Sequence, residues 1–174
     1  MVHMSTLLVV SNVMDEVRWL DDRERRAWRG LMAMTADLAQ YTERQLRARH
    51  GLSKADYEVL VLLSEAPSGL RAVELGRGLR WEKSRLSQHL TRMQGRGLVR
   101  REQCPADQRG NLVVLTPRGR ELIESAAGPH VEDVRAILID HLTPAQLDLL
   151  GELADLVRER AEALAGERTR PADG

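Results

Sequence analysis

The 174-residue sequence contains no phenylalanine, only two tyrosines and only three tryptophans. Leucine, valine, methionine and alanine must therefore fill its core, and a chain dominated by leucine, alanine, arginine and glutamate favours helix. Its single cysteine, Cys104, excludes an internal disulfide, and we expect an ordinary free thiol there. The apolar run at residues 7–10 is far too short to span a membrane, so we expect a cytoplasmic protein without a membrane partner.

The sequence also lacks the common catalytic and nucleotide-binding motifs, including the P-loop, GxGxxG, HExxH and GxSxG patterns. We therefore expect no enzyme and no cofactor. His130 and His141 are eleven residues apart, with only Glu132 and Asp140 as obvious further ligands. That spacing does not match a zinc cluster, so we expect no metal site and interpret both histidines as surface or interface residues.

The chain is neutral overall, but its positive charge is concentrated in one block. Residues 71–120 contain 12 basic and four acidic residues, a net charge of +8, whereas the remainder carries a net charge of −8. A basic block of this kind is typical of a module that binds a polyanion.

Within the block, residues 81–95 have the periodicity of an amphipathic helix. Leu86, Leu90 and Met93 form one apolar stripe, at positions i, i+4 and i+7. The opposite arc carries side chains of the types that bind phosphates and base edges in a major groove. This predicted DNA-binding arc consists of Ser84, Arg85, Ser87, Gln88, Thr91 and Arg92, with Lys83 and His89 at its borders. The plain alternative is a solvated helix face.

A short helix from Ala72 to about Arg77 precedes this stretch, and Gly78 is predicted to make the turn between the two helices. A hairpin is predicted to follow, with strands at 99–102 and 112–116 and a turn at 105–110. Arg109 near its tip is a candidate DNA contact, and Asp107 is a candidate for holding that arginine in place. The alternative is that both are merely turn-favouring polar residues.

A set of short motifs around the hairpin resembles the multiple-antibiotic-resistance regulator (MarR) family over roughly residues 19–165. The resemblance is carried by Arg96-Gly97-Leu98-Val99, Pro105, Asp107, Arg109, Leu115-Thr116 and Gly119. It implies a mainly α fold with a small β-hairpin wing, in which a winged helix-turn-helix lobe is joined to dimerisation helices from both termini. It also implies a pocket for a small aromatic or phenolic effector. Candidate lining residues are Trp28, Met32, Tyr41 and Tyr57, and the alternative is that such residues at helical spacing belong to the core.

Helix-capping signals divide the chain. Capping boxes are predicted at Asp21/Glu24, Ser53/Asp56 and Thr143/Gln146. Thr116 is predicted to cap a helix that kinks or pauses at Gly128-Pro129. The predicted organisation is a flexible segment at 1–18, a helical dimerisation region at 19–50 and 121–166, a DNA-binding domain at 51–120 and a disordered tail at 167–174. The outer helices carry more apolar surface than a small wing domain can cover, which predicts a homodimer. The alternative is that these helices pack on each other in a monomer.

Together these features predict a sequence-specific regulator of transcription that binds double-stranded DNA. We expect a repressor that acts as a homodimer on a pseudo-palindromic operator and is released by a small effector. The alternative is a winged helix used only as a protein-interaction module. The polar arc with Arg85, Gln88 and Arg92 separates the two, because an interaction surface would be expected to carry apolar residues there.

Overall fold

The computed structural model describes residues 17–104 and 107–167, with side chains described outside 104–110 and 167. The predicted disordered tail therefore lies outside the described side chains, as does nearly all of the predicted flexible N-terminal segment. The chain divides into two compact units, residues 1–40 and 41–174.

The described residues form six α-helices and a small antiparallel sheet whose strand order is β1-β3-β2. In chain order the elements are α1 (Asp22–His50), α2 (Lys54–Ser64), β1 (Leu70–Arg71), α3 (Ala72–Leu79), α4 (Lys83–Gly95), β2 (Val99–Cys104), β3 (Asp107–Leu115), α5 (Pro117–Ile137), a 3-10 turn (Ile139–His141) and α6 (Pro144–Glu167). The fold is therefore mainly helical with a small sheet, as predicted. No helix of the described residues is both long enough and apolar enough to cross a bilayer.

The predicted helix starts are confirmed by their hydrogen bonds. The Glu24 N–H donates to Asp21 Oδ1 at 2.8 Å, and the Asp21 N–H donates to Glu24 Oε2 at 2.9 Å. The other two capping boxes are present as well, at Ser53/Asp56 and Thr143/Gln146. These bonds satisfy backbone N–H groups that a helix cannot satisfy internally.

The turn between α3 and α4 differs from the sequence-based prediction. Gly78 lies inside α3, where a Cβ would come within 3.0 Å of the Leu62 side chain. The turn is made instead by Arg80, which has a left-handed backbone with φ 54°. Helix α5 contains Gly128 and Pro129, as predicted, and continues through them without a break to Ile137, where the 3-10 turn follows.

Aliphatic side chains build the core of the second unit. Leucines from α2, α3 and α4 pack with residues of the sheet and of α5, including Val99, Val113 and Ile123. Met93 and Leu60 are fully buried. This core fixes α4 against α2 and α3, and so decides which face of α4 remains exposed.

Candidate nucleic-acid interface

Helix α4 presents one apolar face to the core and one polar face to solvent. Leu86, Leu90 and Met93 are at most 3% exposed, as their spacing predicted. The predicted DNA-binding arc is exposed along its whole length, namely Lys83, Ser84, Arg85, Ser87, Gln88, Thr91 and Arg92. At about 100° per residue, Ser84, Gln88 and Thr91 lie at the centre of the arc, and the arginines lie on one flank.

His89 differs from its neighbours in the prediction. It is only 8% exposed, and its Nε2 lies 3.1 Å from Oδ1 of Asp56. The helix turn places His89 closer to the Leu86 and Met93 stripe than to the centre of the arc. The structure therefore brings its side chain to α2 rather than to the exposed surface.

Asp56 is the buried anion beneath this surface. Its Oδ2 accepts a hydrogen bond from Arg96 Nη1 at 2.7 Å, and the same oxygen accepts the Ser53 N–H at 3.0 Å. Burial alone raises the pKa of a carboxyl group, but the adjacent His89 ring and the hydrogen bonds with Ser53 and Arg96 outweigh it. The pKa of Asp56 therefore lies well below its ordinary value, and the group is ionised.

Both arginines of the arc are held by neighbours. Arg92 Nη2 lies 3.2 Å from His89 Nδ1. The Arg85 guanidinium carbon lies 4.3 Å from the ring centre of Trp81, a cation–π contact. Trp81 in turn packs edge-on against His89, with ring centroids 5.2 Å apart. Sequence reasoning missed the contact between Asp56 and Arg96, because the two are 40 residues apart. It also missed Trp81, although Arg85 is only four residues away.

A groove of about 800 Å³ borders the other flank of α4, between α3 and the sheet. Its basic lining includes Arg77, Arg80 and Arg101, which the sequence analysis did not single out. Only their membership of the basic block pointed to them. They extend the positive surface beyond the arc itself.

The wing is a hairpin of β2 and β3 in which Val99 pairs with Leu115 and Gln103 with Asn111. The register shifts between Gln103 and Cys104. Asp107 and Arg109 belong to strand β3 rather than to the predicted turn, which is therefore shorter than residues 105–110. Their side chains lie outside the described part of the chain.

The four candidate effector-binding residues have different environments. Trp28 and Met32 on α1 are 55% and 42% exposed. Tyr41 is half-buried on the same helix. Tyr57 on α2 is half-buried, and its ring packs 4.3 Å from that of His130, measured between centroids. Burial raises the pKa of Tyr57.

His130 and His141 were the two histidines considered as metal ligands in the sequence. In the structure each contacts another residue. His130 packs on Tyr57, and His141 Nε2 lies 2.8 Å from the Ala136 carbonyl oxygen. Among the described residues, no group of three or more histidine, cysteine or acidic side chains could hold a metal ion.

Comparison with known proteins identifies the fold that carries this surface. The sequence profile of the MarR family matches residues 50–110. The crystal structure of AbsC, a MarR family transcriptional regulator from Streptomyces coelicolor, is 40% identical, covers 86% of this chain and 99% of its own, and has a TM-score of 0.78. The chain belongs to the MarR family.

Two further transcriptional regulators extend the comparison. Sco3205, a MarR family transcriptional regulator from Streptomyces coelicolor, was crystallised in complex with DNA; it is 35% identical, with a TM-score of 0.77, over 92% of this chain and 96% of its own. The transcriptional regulator HosA from Escherichia coli O111:H- is 33% identical over 114 residues, which are 66% of this chain and 83% of HosA. This MarR-family protein is thus a DNA-binding transcriptional regulator, and the family is not one of enzymes.

Proposed function

We propose that this MarR-family regulator represses transcription as a homodimer on a pseudo-palindromic operator, and that a small aromatic or phenolic molecule releases it. The observation that carries the proposal is the exposed arc of α4, a row of hydrogen-bonding and basic side chains on a rigidly packed helix. The similarity to Sco3205, crystallised with DNA, supports the same surface as the one that meets the duplex.

The arc suggests a division of roles on the DNA. Gln88 lies at its centre and has the amide that pairs with both polar atoms of an adenine edge. The Thr91 hydroxyl donates its hydrogen to the Ser87 carbonyl oxygen at 3.0 Å, so it is left as an acceptor. We infer that the centre of the arc reads base edges, and that Arg85 and Arg92 on the flank bind phosphates.

Unpartnered apolar surface supports the homodimer. On α6, five large side chains lie along one face at positions spaced by multiples of a helical turn, and each is at least 50% exposed: Leu149, Leu153, Leu156, Val157 and Leu164. Separately, α1 exposes Trp28, Leu31 and Met32. Such faces are costly in water, and a second copy of the chain would cover them in a twofold arrangement.

Polar groups near Tyr57 support an effector. His130 Nδ1, on the ring that packs against Tyr57, is buried without a hydrogen-bond partner among the described residues. Asp133 acts electrostatically on His130 and pairs with Arg49 at 3.0 Å. Unpaired buried donors or acceptors beside an aromatic ring suit a small aromatic acid or phenol.

The proposal is tested by selecting bound fragments from random duplex DNA with the purified full chain. We expect an inverted repeat whose half-site centres are about one helical turn, roughly 10 base pairs, apart. Enrichment of a single unrepeated site would contradict the dimer, and no enrichment at all would favour the protein-interaction alternative. Addition of aromatic acids to the selected complex then tests the release.

A further inference from the structure

Below the exposed arc of α4, one buried carboxylate on α2 faces the middle of α4 and its end. Asp56 faces His89 in the middle of α4, and it also accepts a hydrogen bond from Arg96 at the helix end. Arg96 also donates to the Gly51 carbonyl oxygen at 2.8 Å. Since Asp56 is 5% exposed, its position is fixed by the core rather than by solvent.

The contacts of His89 define the state of its ring. Arg92 is always a donor, so the 3.2 Å contact from its Nη2 requires His89 Nδ1 to accept. The remaining ring proton is then on Nε2, the atom that faces Asp56. The ring therefore connects a buried anion to an exposed cation.

We propose that Asp56 and His89 form a positioning relay that sets the Arg92 guanidinium for its DNA contact. The proposal rests on the role of Arg92 in the proposed function. Asp56 orients the His89 ring, and the ring nitrogen Nδ1 then holds Arg92. A second branch runs from the same ring through Trp81 to Arg85, so one buried pair supports both arginines on this flank.

The reason for such a relay is the flexibility of arginine. An unrestrained arginine side chain loses conformational entropy when it binds a phosphate. A side chain already held by a neighbour has lost part of that entropy before binding. Arg47, Arg85, Arg92 and Arg96 also line one cleft of about 410 Å³, and their mutual repulsion would otherwise spread them apart. Asp56 and Glu43 are the acidic residues that line the same cleft.

Two substitutions of His89 separate its contact with Asp56 from its contact with Arg92. In His89→Gln, the side-chain amide can still reach Asp56, but nothing replaces Nδ1 as the acceptor for Arg92. In His89→Asn, the amide oxygen takes the place of Nδ1, but nothing reaches Asp56. His141→Gln is the control, because His141 is exposed and its Nε2 lies against the Ala136 carbonyl oxygen at the end of α5, away from Asp56 and Arg92 in the chain.

The experiment measures operator affinity of the full-chain protein for each variant, for Arg92→Ala and for the pair His89→Gln/Arg92→Ala, with thermal unfolding confirming that all are folded. We expect His89→Gln to weaken binding about fivefold, the size of one net hydrogen bond. His89→Asn should lose less. The paired variant should bind no more weakly than Arg92→Ala alone, because the relay has nothing left to position.

Other outcomes would overturn the relay. If the losses of His89→Gln and Arg92→Ala multiply, His89 acts on the fold and not through Arg92. If His89→Gln and His89→Asn weaken binding equally, the acceptor nitrogen has no special role. If Arg92→Ala binds normally, there is no contact to position. Failure of the unaltered chain to prefer any operator would instead overturn the proposed function.

Discussion

At the scale of single residues, Asp56 takes part in three separate interactions, with the start of α2, with Arg96 and with His89. It belongs to the capping box of α2, it pairs with Arg96 at 2.7 Å, and it faces His89. The ion pair with Arg96 requires the ionised carboxylate. Removal of the negative charge should therefore affect stability in a way that depends on pH.

We predict that Asp56→Asn lowers the free energy of unfolding by about 1.5–3 kcal/mol at pH 7, the range for hydrogen bonds to charged groups. Because the pKa of Asp56 is depressed in the folded chain, the native carboxylate stabilises the fold above its unfolded pKa, about 4. That stabilisation is lost as pH falls towards the folded pKa.

The free energies of unfolding of Asp56→Asn and of the unaltered chain should therefore become more similar below about pH 4, as measured by urea unfolding across a pH series. The exposed Asp155, paired only with Arg158, provides the control, and Asp155→Asn should have little effect. A difference that stays constant from pH 7 to the acid limit would show that the charge of Asp56 is not what stabilises the fold.

At the scale of elements, the wing is joined to α5 by a very close approach. A Cβ at Gly119 would lie 2.0 Å from the Leu98 carbonyl oxygen, which also accepts the Thr116 N–H at 3.1 Å. Backbone atoms cannot yield to such a contact as a flexible side chain can. The first turn of α5 is thus pinned beside the start of β2.

Gly119→Ala should therefore destabilise the fold by about 2–3 kcal/mol or more, because backbone must shift to admit the methyl group. Gly95→Ala is the matched control: nothing lies within 4 Å of its added Cβ, and alanine is favoured over glycine in a helix by about 0.5–1 kcal/mol. Thermal unfolding of both variants measures the contrast. Equal effects would contradict the packing described at Gly119.

The wing itself should bind DNA through Arg109. We predict that Arg109→Ala weakens operator binding and flattens any preference for A·T pairs flanking the site, since arginine is drawn to a narrow minor groove. Asp107→Ala should weaken binding too, although it removes a negative charge, because Asp107 is expected to hold Arg109 in place. Titration of both variants on one duplex measures this. Tighter binding by Asp107→Ala would rule out that positioning role.

Local signals predicted the elements well. Helix caps such as Ser53 with Asp56 are written within four residues, and the stripe of Leu86, Leu90 and Met93 fixed the buried face of α4. Contacts between distant residues escaped prediction. His89 lies at a border of the helix period, and only its approach to Asp56, 33 positions away, decides that it is buried.

The turn at Arg80 escaped prediction for another reason. Glycine is the usual residue for a left-handed backbone, so Gly78 was the natural choice, whereas its real role is to let α3 approach Leu62. Whether Asp107 and Arg109 belong to β3 or to the turn likewise depends on pairing with β2. Proline and glycine signals alone do not show where that pairing ends.

At the scale of the whole molecule, neutrality conceals a division of charge. The +8 of residues 71–120 covers α3, α4 and the wing, and the remaining residues balance it. A positive lobe attracts DNA from a distance, and a negative remainder keeps the protein from coating it indiscriminately.

The proposed homodimer predicts that the purified chain has twice the mass of 19.6 kDa in light scattering. Leu153→Glu, on the exposed apolar face of α6, should shift the mass towards the monomer, because burial of an unpaired charge in an interface is costly. Arg158→Glu places the same charge on the opposite side of α6 and should leave the mass unchanged. A monomer without any substitution would contradict the proposal.

The central claim is that the exposed arc of α4 reads the operator, and Gln88 is its most direct test. Affinities of the unaltered chain and of Gln88→Ala are measured on the selected operator and on a scrambled duplex, each over a range of salt concentrations. Affinity should fall linearly on a log–log plot for both proteins, with a slope of about −0.9 per phosphate contact. Gln88→Ala should lose about 1–3 kcal/mol on the operator and almost nothing on the scrambled duplex, with an unchanged slope. Equal losses on the two duplexes would contradict base reading by α4.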